Sequence, residues 1–297
     1  MTPENLLRPP LTTQKCTLGC ETLDRCLGGG IPCNSLTELV AESGCGKTQL
    51  CLQLVLSAQL PLTHHGLSGS SLYIHTEFPF PFRRLQQLSY SFRSLYPQFF
   101  GNNDPCDHIF IKGVDTADQL LDIMPKIESI LLHSRSRLPI RLIVIDSIAA
   151  LFRSEFENTS LDLKRRSLLF FKISGKLKSL AKRFSLAVVV TNQVVDLIGA
   201  SEGINGLRIG NLGCLYTSGR RVCPALGLAW ANCVNSRLFL SIKEEAVGQE
   251  NGLVDDGGGV YQCRRTRRTL HVVFAPHLPE SSCEFVIKGE GVFGVET

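Results

Sequence analysis

The sequence predicts an α/β fold: a mostly parallel central sheet flanked by helices, with an antiparallel edge near the C-terminus. Three observations predict it. Short apolar runs alternate with longer helical patterns. A glycine-rich loop follows one of those runs and opens a helix. After Trp230 the pattern changes, and short strands follow one another with loops between them.

The strands of the parallel part are expected at Leu36–Val40, Ser71–Thr76, His108–Lys112, Leu142–Asp146 and Leu186–Thr191. They are apolar and show little alternation, as strands covered on both faces should. Between them, Gln49–Gln59 reads as a helix opened by the glycine-rich loop. Leu169–Phe184 reads as another, with Leu169, Ile173, Leu177, Leu180, Ala181 and Phe184 on one side and its lysines mostly elsewhere. Strands alternating with helices imply βαβ units. Arg237–Ile242, Thr269–Phe274 and Glu284–Lys288 read as the antiparallel edge. Residues 243–268, rich in Gly, Glu and Asp and then basic, read as a flexible surface insertion. One core is expected over residues 16–297, after a short segment 1–15.

Composition excludes several classes. Hydrophobic residues make up 43 % of the chain, enough to build a core. No apolar run approaches the roughly 20 residues that a membrane-spanning helix requires, so no membrane partner is expected. The opening MTPENLLRPP has neither the basic nor the apolar region of a secretory leader. The 12 cysteines form no C-x-x-C pair and read as free thiols in a reducing compartment, not as a disulfide framework or a zinc site. Net charge is +4, but between Arg135 and Arg183 twelve Lys/Arg face four Asp/Glu. Such a block is either a solvated face or, if the fold gathers it on one surface, a nucleic-acid footprint.

The chemistry starts at Ala41-Glu42-Ser43-Gly44-Cys45-Gly46-Lys47-Thr48. Gly44 and Gly46 let backbone N–H groups converge on phosphate oxygens, and the helix N-terminus adds its positive end. Lys47 reaches the terminal phosphates and the Thr48 hydroxyl holds Mg²⁺, so ATP and Mg²⁺ are the expected cofactors. Asp146 ends an apolar strand about 100 residues further on, where a carboxylate completes the Mg²⁺ water shell or simply starts a turn. Glu77 and Gln193 end two other strands at the same edge. Glu77 is a candidate to orient attacking water and Gln193 to sense the γ-phosphate; a solvated carboxylate and a turn-capping amide are the alternatives. Cys45, among N–H groups and beside Lys47, is either a low-pKa, oxidant-sensitive thiol or a small residue tolerated in a tight loop.

Taken together, these segments resemble the RecA-type recombinase family over nearly the whole chain, Leu18 to Val292. LGCETLDRCLGGGI (Leu18–Ile31) is similar to its stretch before the phosphate loop. YIHTEFPFPFRRL (Tyr73–Leu85) is similar to its catalytic-glutamate segment, which supports Glu77. DSIAALFRSEF (Asp146–Phe156) and AVVVTNQVVD (Ala187–Asp196) resemble the segments leading into its two DNA-facing loops. PALGLAW (Pro224–Trp230) resembles a signature of the eukaryotic recombinase paralogues, and APHLPESSCEF (Ala275–Phe285) narrows the likeness to a plant-like form.

The resemblance implies a RecA-like P-loop ATPase core and a nuclear recombination mediator in crosslink and double-strand-break repair. It implies a complex with the C-type recombinase paralogue, support for the strand-exchange recombinase filament, and binding of single-stranded or branched DNA. Arg153, Lys164, Arg165 and Arg166 fall in or beside the first DNA-facing loop, and Arg208, Arg220 and Arg221 in or near the second; a solvated face is the alternative. Arg264–Arg268 reads as a nuclear-localisation patch or a plain basic loop.

The chain departs from the family at Gly44, His75 and Phe274 and in the missing Gly-Arg-Gly after Arg153; a Phe-x-x-Ala linker and a helical N-terminal domain are not expected ahead of the core. These departures speak against a self-sufficient strand-exchange recombinase, one alternative reading. A module whose nucleotide is only structural is another; intact Lys47, Thr48, Glu77 and Asp146 speak against it.

Overall fold

A computed structural model describes residues 13–77, 79–133, 137–153, 159–197, 215–247 and 263–296. In chain order, β1 (Lys15–Cys16), α1 (Glu21–Cys26) and β2 (Ile31–Pro32) precede the central sheet. Then come β3 (Ser35–Ala41), α2 (Lys47–Ser57), β4 (Ser70–His75), α3 (Phe82–Leu95), α4 (Pro97–Phe100), β5 (Ile109–Gly113), α5 (Ala117–His133) and β6 (Ile140–Asp146). They are followed by α6 (Ser160–Phe184), β7 (Ala187–Asn192), β8 (Val194–Asp196), β9 (Leu215–Thr217), β10 (Arg220–Pro224) and α7 (Gly227–Ala231). The chain closes with β11 (Ser236–Val247), β12 (Cys263–Phe274), β13 (Ser281–Ile287) and β14 (Val292–Gly294).

Among the described residues, nine strands form one sheet in the order β14-β13-β12-β11-β3-β7-β6-β4-β5. The pairings from β11 to β5 are parallel and those from β11 to β14 antiparallel. This is the expected architecture. The apolar strand runs divide by strict alternation between two cores. Leu142, Val144, Ala187 and Val189 pack on one face with α2 and α3, and Ile143, Ile145, Val188 and Val190 on the other with α5 and α6. Each such Leu, Ile or Val side chain contributes roughly 1.5–3 kcal/mol on burial, and because both faces are covered no polar alternation is left to read in these strands.

A buried ion pair, Glu38 of β3 with Arg237 of β11, lies inside this sheet. Glu38 of β3 is fully buried. Its carboxylate accepts from Arg237 Nε of β11 at 2.6 Å, from Asn192 Nδ2 of β7 at 2.7 Å and from the Trp230 indole N–H of α7 at 2.9 Å. The last residue of the PALGLAW stretch thus spans from a helix to the strand beneath it, with its ring edge-on to Phe170 of α6 at 5.4 Å. A second buried staple, Gln53 of α2, donates to Leu18 O at 2.5 Å and Val292 O at 3.0 Å and accepts from Val292 N at 2.6 Å. It ties the segment before the phosphate loop to the last strand.

Residues 243–268 differ from their expectation. Both ends of this stretch are sheet: Ile242 through Val247 pair in register with Arg268 through Cys263. Residues 248–262 lie outside the described residues, as do 1–12. The composition misled because this end of the hairpin is held by cross-strand ion pairs instead of apolar burial. Arg267 binds Glu245 at 3.3 Å and also Glu284 of β13. Arg264–Arg268, read as a nuclear-localisation patch or a plain basic loop, lies within β12, which corrects the second reading.

Removing one partner of a buried ion pair leaves the other charge uncompensated. Glu38→Ala is expected to lower the unfolding free energy by about 3–5 kcal/mol, and Trp230→Phe, which removes one hydrogen bond to a charged acceptor, by about 1.5–3 kcal/mol. Urea unfolding of the full chain measures both. A Glu38→Ala chain as stable as the wild type would remove Glu38 from the centre of the fold.

Candidate functional site

The phosphate-loop residues Ala41–Thr48 bridge the end of β3 and the first turn of α2. Gly44 (φ +84°) and Gly46 (φ +111°) occupy left-handed backbone that side chains rarely adopt. At Gly46 there is a second reason for glycine: a Cβ would stand 2.7 Å from Ile287 Cδ1 of β13. Lys47 Nζ donates to the carbonyls of Ala41 at 2.8 Å and Glu42 at 3.0 Å, so its ammonium hangs over the loop. Burial draws its pKa below the ordinary lysine value, with the nearby Asp146 carboxylate opposing that shift.

Asp146 is held by three hydroxyls. Thr48 donates to Oδ2 at 2.7 Å, Tyr73 to Oδ2 at 2.6 Å and Thr191 to Oδ1 at 2.6 Å. Burial and the neighbouring carboxylate push the Tyr73 phenol well above its usual pKa, so it remains a donor. Thr48 and Asp146, paired from sequence as Mg²⁺ partners, do meet. Tyr73 and Thr191 went unrecognised. The only signal for them was polar atoms standing beside apolar residues in two buried strands, β4 and β7.

Glu77 and Gln193 also meet, though they follow different strands. Gln193 Nε2 donates to Glu77 at 2.8 and 3.0 Å. Arg153, expected at a DNA-facing loop, lies on them both: it pairs with Glu77 at 3.2 Å and donates to Gln193 Oε1. All five groups, Lys47, Thr48, Asp146, Glu77 and Gln193, line one cleft of about 630 Å³ together with Ser43, Gly44 and Gly46. A parallel sheet brings them together because the C-terminal ends of its strands share one edge. The other wall of the cleft was not read from sequence: Arg84 of α3, Arg268 of β12 and Lys288–Gly289 after β13.

The remaining basic candidates fall on two elements, and carboxylates within the chain answer part of their charge. On α6, Arg165 pairs with Asp118 of α5 at 2.9 Å, Arg166 is half-buried with its guanidinium 5.3 Å from the Phe170 ring centre, and Lys164 is exposed. On β10, Arg220 pairs with Glu42 of the phosphate loop at 2.8 Å and with Asp196 at 3.1 Å. Arg221 donates to the Tyr216 hydroxyl at 2.6 Å. Arg208 lies outside the described residues.

Of the two readings of Cys45, its surroundings favour the small residue tolerated in a tight loop. Its side chain is fully buried, with Sγ 4.0 Å from Thr217 Oγ1. Burial first, and then Glu42, push the thiol above its ordinary pKa, outweighing Lys47. The loop's N–H groups favour anions in front of it, whereas the Cys45 side chain is buried against β9.

A family model described as Rad51 matches residues 11–208. The chain is 59 % identical over 296 residues to a DNA repair protein XRCC3 homolog of Arabidopsis thaliana, covering 99 % of this chain and 97 % of that one. It is 37 % identical over 290 residues to a DNA repair protein XRCC3 of Mus musculus, covering 96 % of this chain and 77 % of the relative. It is 30 % identical over 288 residues to a DNA repair protein RAD51 homolog 2, also of Mus musculus, covering 91 % of this chain and 72 % of the relative.

The raised thiol pKa sets the sign of a labelling experiment. A thiolate at Cys45 forms only at higher pH than for an ordinary cysteine. With limiting iodoacetamide at pH 7.5, the half-buried Cys20 and Cys26 are expected to label before Cys45. Peptide mapping over time reads the order, and early labelling of Cys45 would restore the reactive thiol.

Proposed function

Because this chain belongs to the Rad51 family, we propose that it is an ATP-binding recombination mediator with weak, DNA-dependent ATPase activity in homologous-recombination repair. It acts in the nucleus, in a complex with the C-type recombinase paralogue, and supports the strand-exchange recombinase filament. The observation that carries this reading is the meeting of Lys47, Thr48, Asp146, Glu77 and Gln193 at one cleft. The DNA-repair names of its relatives support the biological setting.

The cleft fits Mg-ATP on its own chemistry. Left-handed glycines present backbone N–H groups, Lys47 supplies the cation for the β- and γ-phosphates, and Thr48 with Asp146 supplies oxygen for Mg²⁺. The nucleotide would bring the phosphoanhydride bond. Glu77, held by Gln193, would orient a water molecule and take its proton. Exposed Leu161, Leu168 and Phe171 on α6 offer apolar surface for a partner. A second reading, in which nucleotide is bound without turnover, is favoured by the ion pair from Arg153 to Glu77, which engages the carboxylate that hydrolysis requires.

Nucleotide titration and single-turnover hydrolysis separate these readings. Lys47→Ala is expected to weaken Mg-ATP binding by about tenfold or more, the loss of charge-assisted hydrogen bonds. Glu77→Gln is expected to bind normally and lose all hydrolysis. Turnover should rise when single-stranded DNA and the paralogue partner are added; none under any condition favours the second reading, and equal ATP affinity in Lys47→Ala and wild type removes the site.

Salt dependence tests the DNA contact. In the heteromeric complex, log affinity for single-stranded DNA is expected to fall with log salt, and Lys164→Ala with Arg221→Ala to reduce that slope by about one to two units. An unchanged slope assigns both residues to a solvated face.

A further inference from the structure

We propose that Arg268 is a phosphate-binding residue of the nucleotide cleft, a cation supplied to the polyphosphate chain by the antiparallel edge of the sheet and not by the phosphate loop. The inference deepens the nucleotide reading above and rests on it.

Strand parity fixes where Arg268 faces. Its neighbour Arg267 reaches Glu245 and Glu284, so the next residue of β12 faces the opposite side of the sheet. That side carries Leu270 and Phe285, both buried. Phe285 is the direct register partner of Arg268 on β13. Its ring edge stands 3.7 Å from where a Cβ on Gly46 would be, and Ile287, two residues on, stands at 2.7 Å. Arg268 is thus one strand over from the residues that pack on the phosphate loop, at the rim of the core and inside the cleft.

Its lack of a partner points to a ligand. The other cations lining the cleft are engaged. Lys47 is on the Ala41 and Glu42 carbonyls. Arg84 is on Gln49, Gln87 and the carbonyls of Lys288 and Gly289. The Lys288 ammonium lies 5.8 Å from the Phe293 ring centre. Arg268 has a buried Nε without an acceptor, and among the described residues no carboxylate lies within salt-bridge distance of it. A buried guanidinium N–H facing an anion-binding loop is an unfavourable arrangement that a phosphate oxygen corrects. Guanidinium also matches phosphate geometry in a bidentate way that an ammonium does not.

The test uses the full chain. Isothermal titration with Mg-ATP and with Mg-ADP compares wild type, Arg268→Gln, Arg268→Met and Arg267→Gln, each checked by thermal unfolding. Both Arg268 variants are expected to bind each nucleotide about tenfold more weakly or worse, and Arg267→Gln, on the other face, as tightly as wild type. A measurement on wild type keeps the question open to refutation should both variants unfold. Phenylglyoxal modification of Arg268, read by peptide mapping, should be suppressed by saturating Mg-ATP, while modification of Arg267 should continue. Wild-type affinity in a folded Arg268 variant, or modification of Arg268 undiminished by Mg-ATP, overturns the assignment and leaves the nucleotide site standing. No nucleotide binding by wild type overturns both.

Discussion

The buried carboxylate of Glu38 is the point from which the functional architecture is organised. A lone charge in a sheet interior is strongly unfavourable, and it persists only when fully paired and hydrogen-bonded. Its partners come from β11, β7 and α7, so satisfying one carboxylate fixes the positions of three elements around β3. β3 and the two strands beside it lead to the site. β3 runs into the phosphate loop, β7 ends beside Gln193, and β11 turns back as β12, which carries Arg268. The lateral spacing of the cleft's walls is therefore set by a polar contact in the interior.

The cleft repeats this logic at smaller scale. Asp146 is aimed by hydroxyls from β4, β7 and α2, and Glu77 by Gln193 and Arg153. Neither carboxylate depends on its own strand alone. A displacement of any of these elements would be felt at the groups proposed to meet magnesium and water. Arg220 extends the network from Glu42 of the phosphate loop to Asp196, which ends β8 at the border of the region expected to face DNA.

Much of this was legible in the sequence, for a physical reason. A parallel sheet buried on both faces demands apolar runs, and a phosphate loop demands glycines, a lysine and a hydroxyl in fixed order, so both leave linear traces. Side-chain direction leaves fainter ones. Cys45 stands among residues that face the anion site, yet its own side chain is buried away from solvent, and the linear sequence left its two readings open. Arg264–Arg268 read as a patch or a plain loop because charge was counted along the chain, whereas in the strand they form consecutive residues face opposite sides. Trp230 was recognised through a resemblance, but its reason for being there is the indole N–H on Glu38, a residue 192 positions away. Contacts of that range have no local signature.

Closure of the phosphate loop has a consequence for the order in which the molecule matures. Ile287 packs on Gly46, and Gln53, in the helix that the loop opens, is bonded to Val292 across 239 residues of chain. The anion cradle stands near the start of the chain, but its walls are made from the end. During synthesis the loop and its helix leave the ribosome long before β13 and β14 do. The nascent chain carries every residue of the phosphate loop and still lacks a complete cleft. Contacts between such distant parts form late and slowly, so the proposed nucleotide cleft is complete only after β13 and β14 have docked on it.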